Sequence, residues 1–408
     1  MEMNGKEING YRVVVCVTQG TVAPHIMADF SSALEKLGHS VFTADLRALS
    51  LETEAREREV FDLINAVGAF KPDFALSYGI SGLFPHAIQN IFEALKVPYA
   101  SLFFDNPMAK AYGEEFEALF RSPLYTMFVW DRYYIRQMKD LGYEAFYLPL
   151  AANTDLFKPM PSDPEHAADV AFVGAVAGVS DYAKQRREEG WPDWMTLIAQ
   201  SVVEMKLAER ALPAEEILDR LLGALPVEQA QAAERHLSGR NFIPFWHSIY
   251  DQYGDAARDE AVGRLPEARI KLYGTGWEGM RREGVEFKGA ADYRTQTPSI
   301  YNSAKINLNV TGAQLVCSVN QRVFDVAASG AFLLTDERED MASLFEIGAE
   351  AAVYSDARDM RSKIEYYLAR DGERREIARR ARERVLADHT YMKRVEKIIE
   401  TLKEKRLL

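Results

Sequence analysis

A chain of 408 residues exceeds what one hydrophobic core usually supports, about 250–300 residues, so more than one domain is expected. With 48% hydrophobic and 27% charged residues, the composition excludes disordered and collagen-like chains. A net charge of -12 argues against whole-molecule attraction to nucleic acid or an anionic membrane, and two cysteines, Cys16 and Cys317, cannot form a disulfide framework.

The opening, "MEMNGKEINGYRVVVCVT", is polar and then enters an apolar run of about eight residues, too short for a signal sequence. No window reaches the roughly 20 apolar residues of a membrane span, and a cytoplasmic protein is expected. From Tyr11 to about Ala151, short β-rich runs alternate with amphipathic stretches: "YRVVVCVT", "SVFTADL", "FALSYG", "YASLFFD", "YTMFVW" and "AFYLPLA". In "HIMADFSSALEKLG", Ile26, Phe30, Ala33, Leu34 and Leu37 recur at helical spacing. Continuous apolar strands between helices predict a doubly wound α/β sheet covered on both faces. Residues 1–155 form this first Rossmann-like domain, and the proline-punctuated stretch 156–168 reads as a linker.

A second series follows in 169–390: "DVAFVGA", "RIKLYG", "VEFKG", "INLNV", "AFLLTD" and "AAVYS". It is interrupted by about 178–265, an Ala-, Glu- and Leu-rich helical insertion in which the aromatics of "NFIPFWHSIYDQY" read as core. The last helix, within 391–408, is expected to pack back on the first domain.

"YGTGWEG" places Gly274, Gly276 and Gly279 in a G-x-G-x-x-G after a strand, but only "MRRE" precedes Gly284 and the next strand. No crossover helix fits, so a dinucleotide site is not expected, and a ligand loop or a tight structural turn remains. No D-x-D, H-E-x-x-H or C-x-x-C occurs, and the seven histidines are scattered; no metal cofactor is expected.

In "SVNQRVFDVAASGAFLLTD", 318–336, Ser318 and Gln321 have capping-box spacing, which predicts a helix from Val319 to Gly330. Val319, Val323 and Val326 form its buried stripe, and Arg322, Asp325 and Ser329 align beside it. A helix start with a cation one turn in suits a diphosphate, while an Arg322–Asp325 surface pair is the plain alternative.

The chain resembles the CgeB/YkvP-like glycosyltransferases of the spore-maturation type. The resemblance is carried by "VEFKGAADYRTQTPSIYNSAKINLNVT", "QRVFDVAASGAFLLTDEREDMASLF" and "YYLARDGERREIARRARERVLADHTYMKRV", and more weakly by "PDFALSYGISGLFPHAIQNIFEALKVPYASLFFDNP". It implies a GT-B fold, two Rossmann-like domains facing across a cleft, with nucleotide sugar bound by the second, acceptor by the first, no bound metal, and a role in bacterial cell-surface glycosylation. Asp325 looks like the position where related enzymes carry a ribose-holding Glu, and Cys317 stands where they often have another acidic residue. The donor-binding set is thus Arg322, Asp325, Gly174, Gly274, Gly276, Asn320 and Gln321, with Arg294, Tyr301 and Asn309 as weaker members. For the acceptor-side base, His25 follows the first strand and Asp105 ends "YASLFF". The expected activity is transfer from a UDP- or GDP-sugar to a hydroxyl of a glycan or protein. A nucleotide-sugar 2-epimerase and a silent sugar- or nucleotide-binding protein are the alternatives.

Overall fold

A computed structural model describes residues 10–20, 22–48, 53–80, 90–107, 114–179, 182–237, 242–277 and 282–408. Two compact units emerge: Met1–Leu150 together with Thr390–Leu408, and Ala151–His389.

The first unit is built on six parallel strands, β1 (Arg12–Val17), β2 (Ser40–Asp45), β3 (Phe74–Tyr78), β4 (Tyr99–Phe103), β5 (Tyr125–Val129) and β6 (Ala145–Tyr147), in the order β2-β1-β3-β4-β5-β6. Val13 to Val17 are buried because helices cover the sheet on both faces, which is why the run reads as continuous rather than alternating. Helix Ala23–Lys36 starts with Pro24 in its first turn and buries Ile26, Met27, Phe30, Ala33 and Leu34 at helical spacing. Helix Arg132–Asp140 is capped by Asp131, whose carboxylate accepts the Tyr133 N–H at 2.9 Å.

The C-terminal helix Tyr391–Glu404 belongs to this unit. Tyr391 meets Phe30 edge to face at 5.1 Å between ring centroids, and the Arg394 guanidinium donates to the carbonyls of Pro149 (2.7 Å) and Leu150 (2.8 Å).

The second unit repeats the plan with β7 (Ala168–Val173), β8 (Ile270–Tyr273), β9 (Val285–Phe287), β10 (Ala304–Leu308), β11 (Leu333–Asp336) and β12 (Ala352–Tyr354), all parallel, in the order β12-β11-β10-β7-β8-β9. Counted within the unit this is the 3-2-1-4-5-6 Rossmann order, and its direction reverses between β7 and β10. Between β7 and β8 lie helices Tyr182–Glu188, Asp193–Ala208, Ala214–Gly223, Val227–Leu237 and Phe242–Gly263. Phe245, Trp246, Ile249 and Tyr253 are buried in the core shared by these helices and the sheet, as expected of that aromatic run. The stretch 156–168 runs along the second unit rather than free of it: Met160 N–H donates to Asn302 Oδ1 at 2.9 Å and Asp163 N–H to Ser303 Oγ at 2.8 Å.

Candidate functional site

In the second unit the strand order reverses between β7 and β10, and the segments leaving the C-terminal ends of these two strands carry most of the expected donor-binding residues. After β7, Gly174 N–H donates to Tyr273 O at 2.7 Å and Val176 N–H to Thr275 O at 3.0 Å, so the loops after β7 and β8 lie back to back. Gly274 and Gly276 have φ of +138° and +87°, and a Cβ on them would stand 2.3 Å from Gly174 O and 2.2 Å from Val176 O. That close approach explains the G-x-G pattern without a dinucleotide. Gly279 lies outside the described residues.

The helix after β10 is Gln321–Ala328, two residues later than the capping-box reading placed it. Asn320 stands at the N-cap without a side-chain cap bond, and Gln321 turns away to donate to Ala151 O (2.6 Å) and Asp325 Oδ1 (2.8 Å). The box fails because its glutamine finds acceptors elsewhere. At the other end, Gly330 takes φ +68° and its N–H bonds Ala327 O while Ala331 N–H bonds Val326 O, a Schellman close.

Arg322 sits in the first turn of this helix. Its Nη1 donates to Asn309 Oδ1, its guanidinium lies 5.7 Å from the Phe172 ring centroid, and Nη2 would be 3.5 Å from a Cβ on Gly174. Asn309, fully buried at the end of β10, is the hub: its Oδ1 also accepts from Asn320 Nδ2 (2.9 Å), and its Nδ2 donates to Thr335 Oγ1 (2.9 Å). The arrangement fixes a cation beside a helix N-terminus, a pairing suited to a phosphate group.

Asp325, expected at the ribose, is hydrogen-bonded to the protein on both oxygens. It is 1% exposed; Oδ2 accepts the Tyr293 hydroxyl at 2.9 Å and Oδ1 accepts Gln321 Nε2. Tyr301 is buried beside Arg322 and Asp325, and burial pushes its phenol well above the usual range. The Arg294 backbone N–H donates to Asp292 Oδ1 at 3.0 Å. Cys317 is buried, with Sγ donating to Glu339 Oε2 at 3.1 Å.

In the second unit, Arg258 was not legible from sequence. Arg258, on helix Phe242–Gly263, donates from Nη1 to Ala175 O, next to Gly174. Burial and the Arg322 charge bring its guanidinium down to about 10.

In the first unit, the order reverses between β1 and β3, and His25, Tyr78 and Asp105 all stand at the C-terminal edge of the sheet. His25 is in the first turn of helix Ala23–Lys36. Asp105 Oδ2 accepts the Tyr78 hydroxyl at 3.0 Å, and burial followed by the Asp105 charge raises the Tyr78 phenol far above its ordinary value. Phe104 stacks on Phe30 of the histidine's own helix, with centroids 6.4 Å apart and planes at 13°. His25 and Asp105 thus share an edge, and Tyr78 is the partner that sequence reading missed. Among the described residues, no helix is long and apolar enough to cross a membrane.

Residues 257–400, about a third of the chain, match a family model described as glycosyl transferase-like. No curated protein matches in sequence. Solved structures share the fold across nearly the whole length. Sucrose-phosphate synthase from Thermosynechococcus elongatus is 12% identical, with 97% of this chain and 98% of that one covered and a TM-score of 0.55. Anabaena Alr3699/HepE in complex with UDP-glucose is 10% identical, with 97% and 100% covered and a TM-score of 0.54. A glycosyltransferase from Rickettsia africae is 9% identical, with 97% and 99% covered and a TM-score of 0.53. The fold is therefore that of the GT-B glycosyltransferases.

Proposed function

We propose that this chain, built on the fold of GT-B glycosyltransferases, transfers a sugar from a nucleoside-diphosphate donor to a hydroxyl of a glycan or protein. The observation that carries the reading is Arg322, held by Asn309 in the first turn of a helix at the point where a Rossmann-ordered sheet reverses. UDP is the first donor to try, because one structural relative is complexed with UDP-glucose; GDP is the second.

In the reaction the acceptor oxygen bonds to the anomeric carbon. The bond from that carbon to the β-phosphate oxygen breaks, and its electron pair leaves with the nucleoside diphosphate. The departing charge falls to Arg322 and the helix N-terminus, where donors fixed before the reaction need no reorganisation. The hydroxyl proton passes to Asp105 or His25 on the first unit. Tyr78 orients the Asp105 carboxylate through Oδ2. No bound metal is assigned a part. A CgeB/YkvP-type enzyme of the cytoplasm acting on cell-surface glycans is the finer form of this reading, supported by the motif resemblance.

The test is a thermal-shift panel of UDP, GDP, ADP, dTDP and CMP. A ligand at 100 times its dissociation constant adds about 2.7 kcal/mol, or roughly 5–10 °C for a domain of this size. UDP or GDP is expected to give that shift, and release of the same nucleotide from its sugar should require an acceptor. No shift with any of the five overturns the proposal; conversion of the donor sugar without acceptor favours the epimerase.

A further inference from the structure

The helical insertion between β7 and β8 reaches into the donor side of the second unit through its last and longest helix, Phe242–Gly263. Two residues on that helix, one turn apart, grip the loop that follows β7. Asp255 accepts the N–H groups of Ala177 (2.6 Å) and Gly178 (3.2 Å) and the Tyr182 hydroxyl (2.8 Å), while Arg258 donates to the Ala175 carbonyl. Arg322 approaches the same loop next to Gly174. Two guanidinium groups therefore converge on consecutive residues, Gly174 and Ala175.

Like charges brought together while partly withdrawn from water are costly, and the cost shows in the lowered affinity of Arg258 for its proton. Asp255 and Asp251 offset part of that repulsion, but Asp255 already divides its carboxylate among the Ala177 and Gly178 N–H groups and the Tyr182 hydroxyl. Arg258 Nε is enclosed without a hydrogen-bond partner among the described residues. A fold retains such a pair most economically where a dianionic group is to come between them.

We propose that Arg258 is a second diphosphate-binding cation, supplied by the helical insertion, which bridges the donor's two phosphates together with Arg322. The assignment rests on the donor reading above and deepens it: the insertion becomes part of the nucleotide site, and a diphosphate, with an anion for each guanidinium, is selected over a monophosphate.

Arg258→Gln keeps a donor for the Ala175 carbonyl and removes the charge. Calorimetric titration with UDP, GDP, UMP and uridine, alongside thermal unfolding, separates the roles. For whichever diphosphate the parent binds, the variant should lose about 10- to 100-fold in affinity, UMP less, and the bare nucleoside nothing, with the melting point within a few degrees. If Arg258→Gln does not fold, Arg258→Lys carries the same comparison, because its point-like ammonium lacks the fork that spans Ala175 and a phosphate at once; it is expected to lose several-fold for the diphosphate alone. A parent that binds neither UDP nor GDP overturns the donor reading and this assignment with it. A parent that binds one of them while the folded variant binds it equally well overturns this assignment only. An equal loss for uridine and UDP also overturns it, since the residue would then merely shape the loop.

Discussion

Replacing Asp325 tests whether its carboxylate faces the protein or a nucleotide. Asp325→Ala removes the acceptor of the Tyr293 hydroxyl and of Gln321 Nε2. Each hydrogen bond to a charged acceptor is worth about 1.5–3 kcal/mol, and because Tyr293 and Gln321 are only half-buried, water recovers part of the sum. A loss of about 3 kcal/mol remains, which for a domain of roughly 150–250 residues lowers the melting point by about 6–12 °C. Asp325→Asn preserves shape and one acceptor, and should lose only about 1 kcal/mol. Tyr293→Phe should be non-additive with it, because both remove the same contact. Circular dichroism melts and UDP titrations of the parent, the three single variants and the Asp325→Ala/Tyr293→Phe double variant decide the matter. An Asp325→Ala variant that melts within 2 °C of the parent yet binds UDP ten times more weakly would refute the reasoning, because the carboxylate would then serve the ligand.

Arg322→Ala should weaken UDP or GDP binding by roughly 10- to 150-fold and leave uridine or guanosine unaffected, read by calorimetry. At the acceptor side, either Asp105→Asn or His25→Ala should reduce turnover at least about 100-fold with little change in nucleotide affinity; near-normal turnover in both removes them from the chemistry. Lys206, buried on helix Asp193–Ala208 of the insertion and donating to Leu212 O at 2.7 Å, has its ammonium brought down to about 7, chiefly by burial. Since the unfolded chain holds that proton up to about 10.4, this group makes stability rise with pH from about 7 toward 10 and contributes no slope below 7. Urea midpoints of the parent and Lys206→Met should diverge across that window, and parallel curves would mean that Lys206 is charged in the folded protein.

The twelve strands among the described residues were legible because each is an apolar run bounded by helical spacing or turn residues, and the parallel fold follows from burial on both faces. The place of Arg322 near a helix start was legible because an Arg between a strand and a glycine stop is a local pattern. The helix start itself was misread: S-x-x-Q is a statement about side-chain competition, and Gln321 is won by Ala151 O and Asp325, the first of them a long-range contact. The burial of Asp325 escaped for a similar reason, since Tyr293 is 32 residues away. Arg258 had no local signal; its meeting with Ala175 and Arg322 exists only once the insertion has packed on the sheet. A faint trace was present in Asp255 and Arg258, one helical turn apart beside the buried Tyr253 and Ala257.

The return of helix Tyr391–Glu404 to the first unit bears on the order in which the protein is made. Residues up to Leu150 leave the ribosome with the strands of their sheet complete but with Phe30 and the carbonyls of Pro149 and Leu150 lacking Tyr391 and Arg394. Synthesis of 151–389 must intervene, which at about 5–20 residues per second takes on the order of 10 to 50 s. Throughout that interval the nascent first unit presents an uncovered apolar strip on helix Ala23–Lys36, a binding target for holdase chaperones, while the second unit, uninterrupted in sequence, is free to finish first.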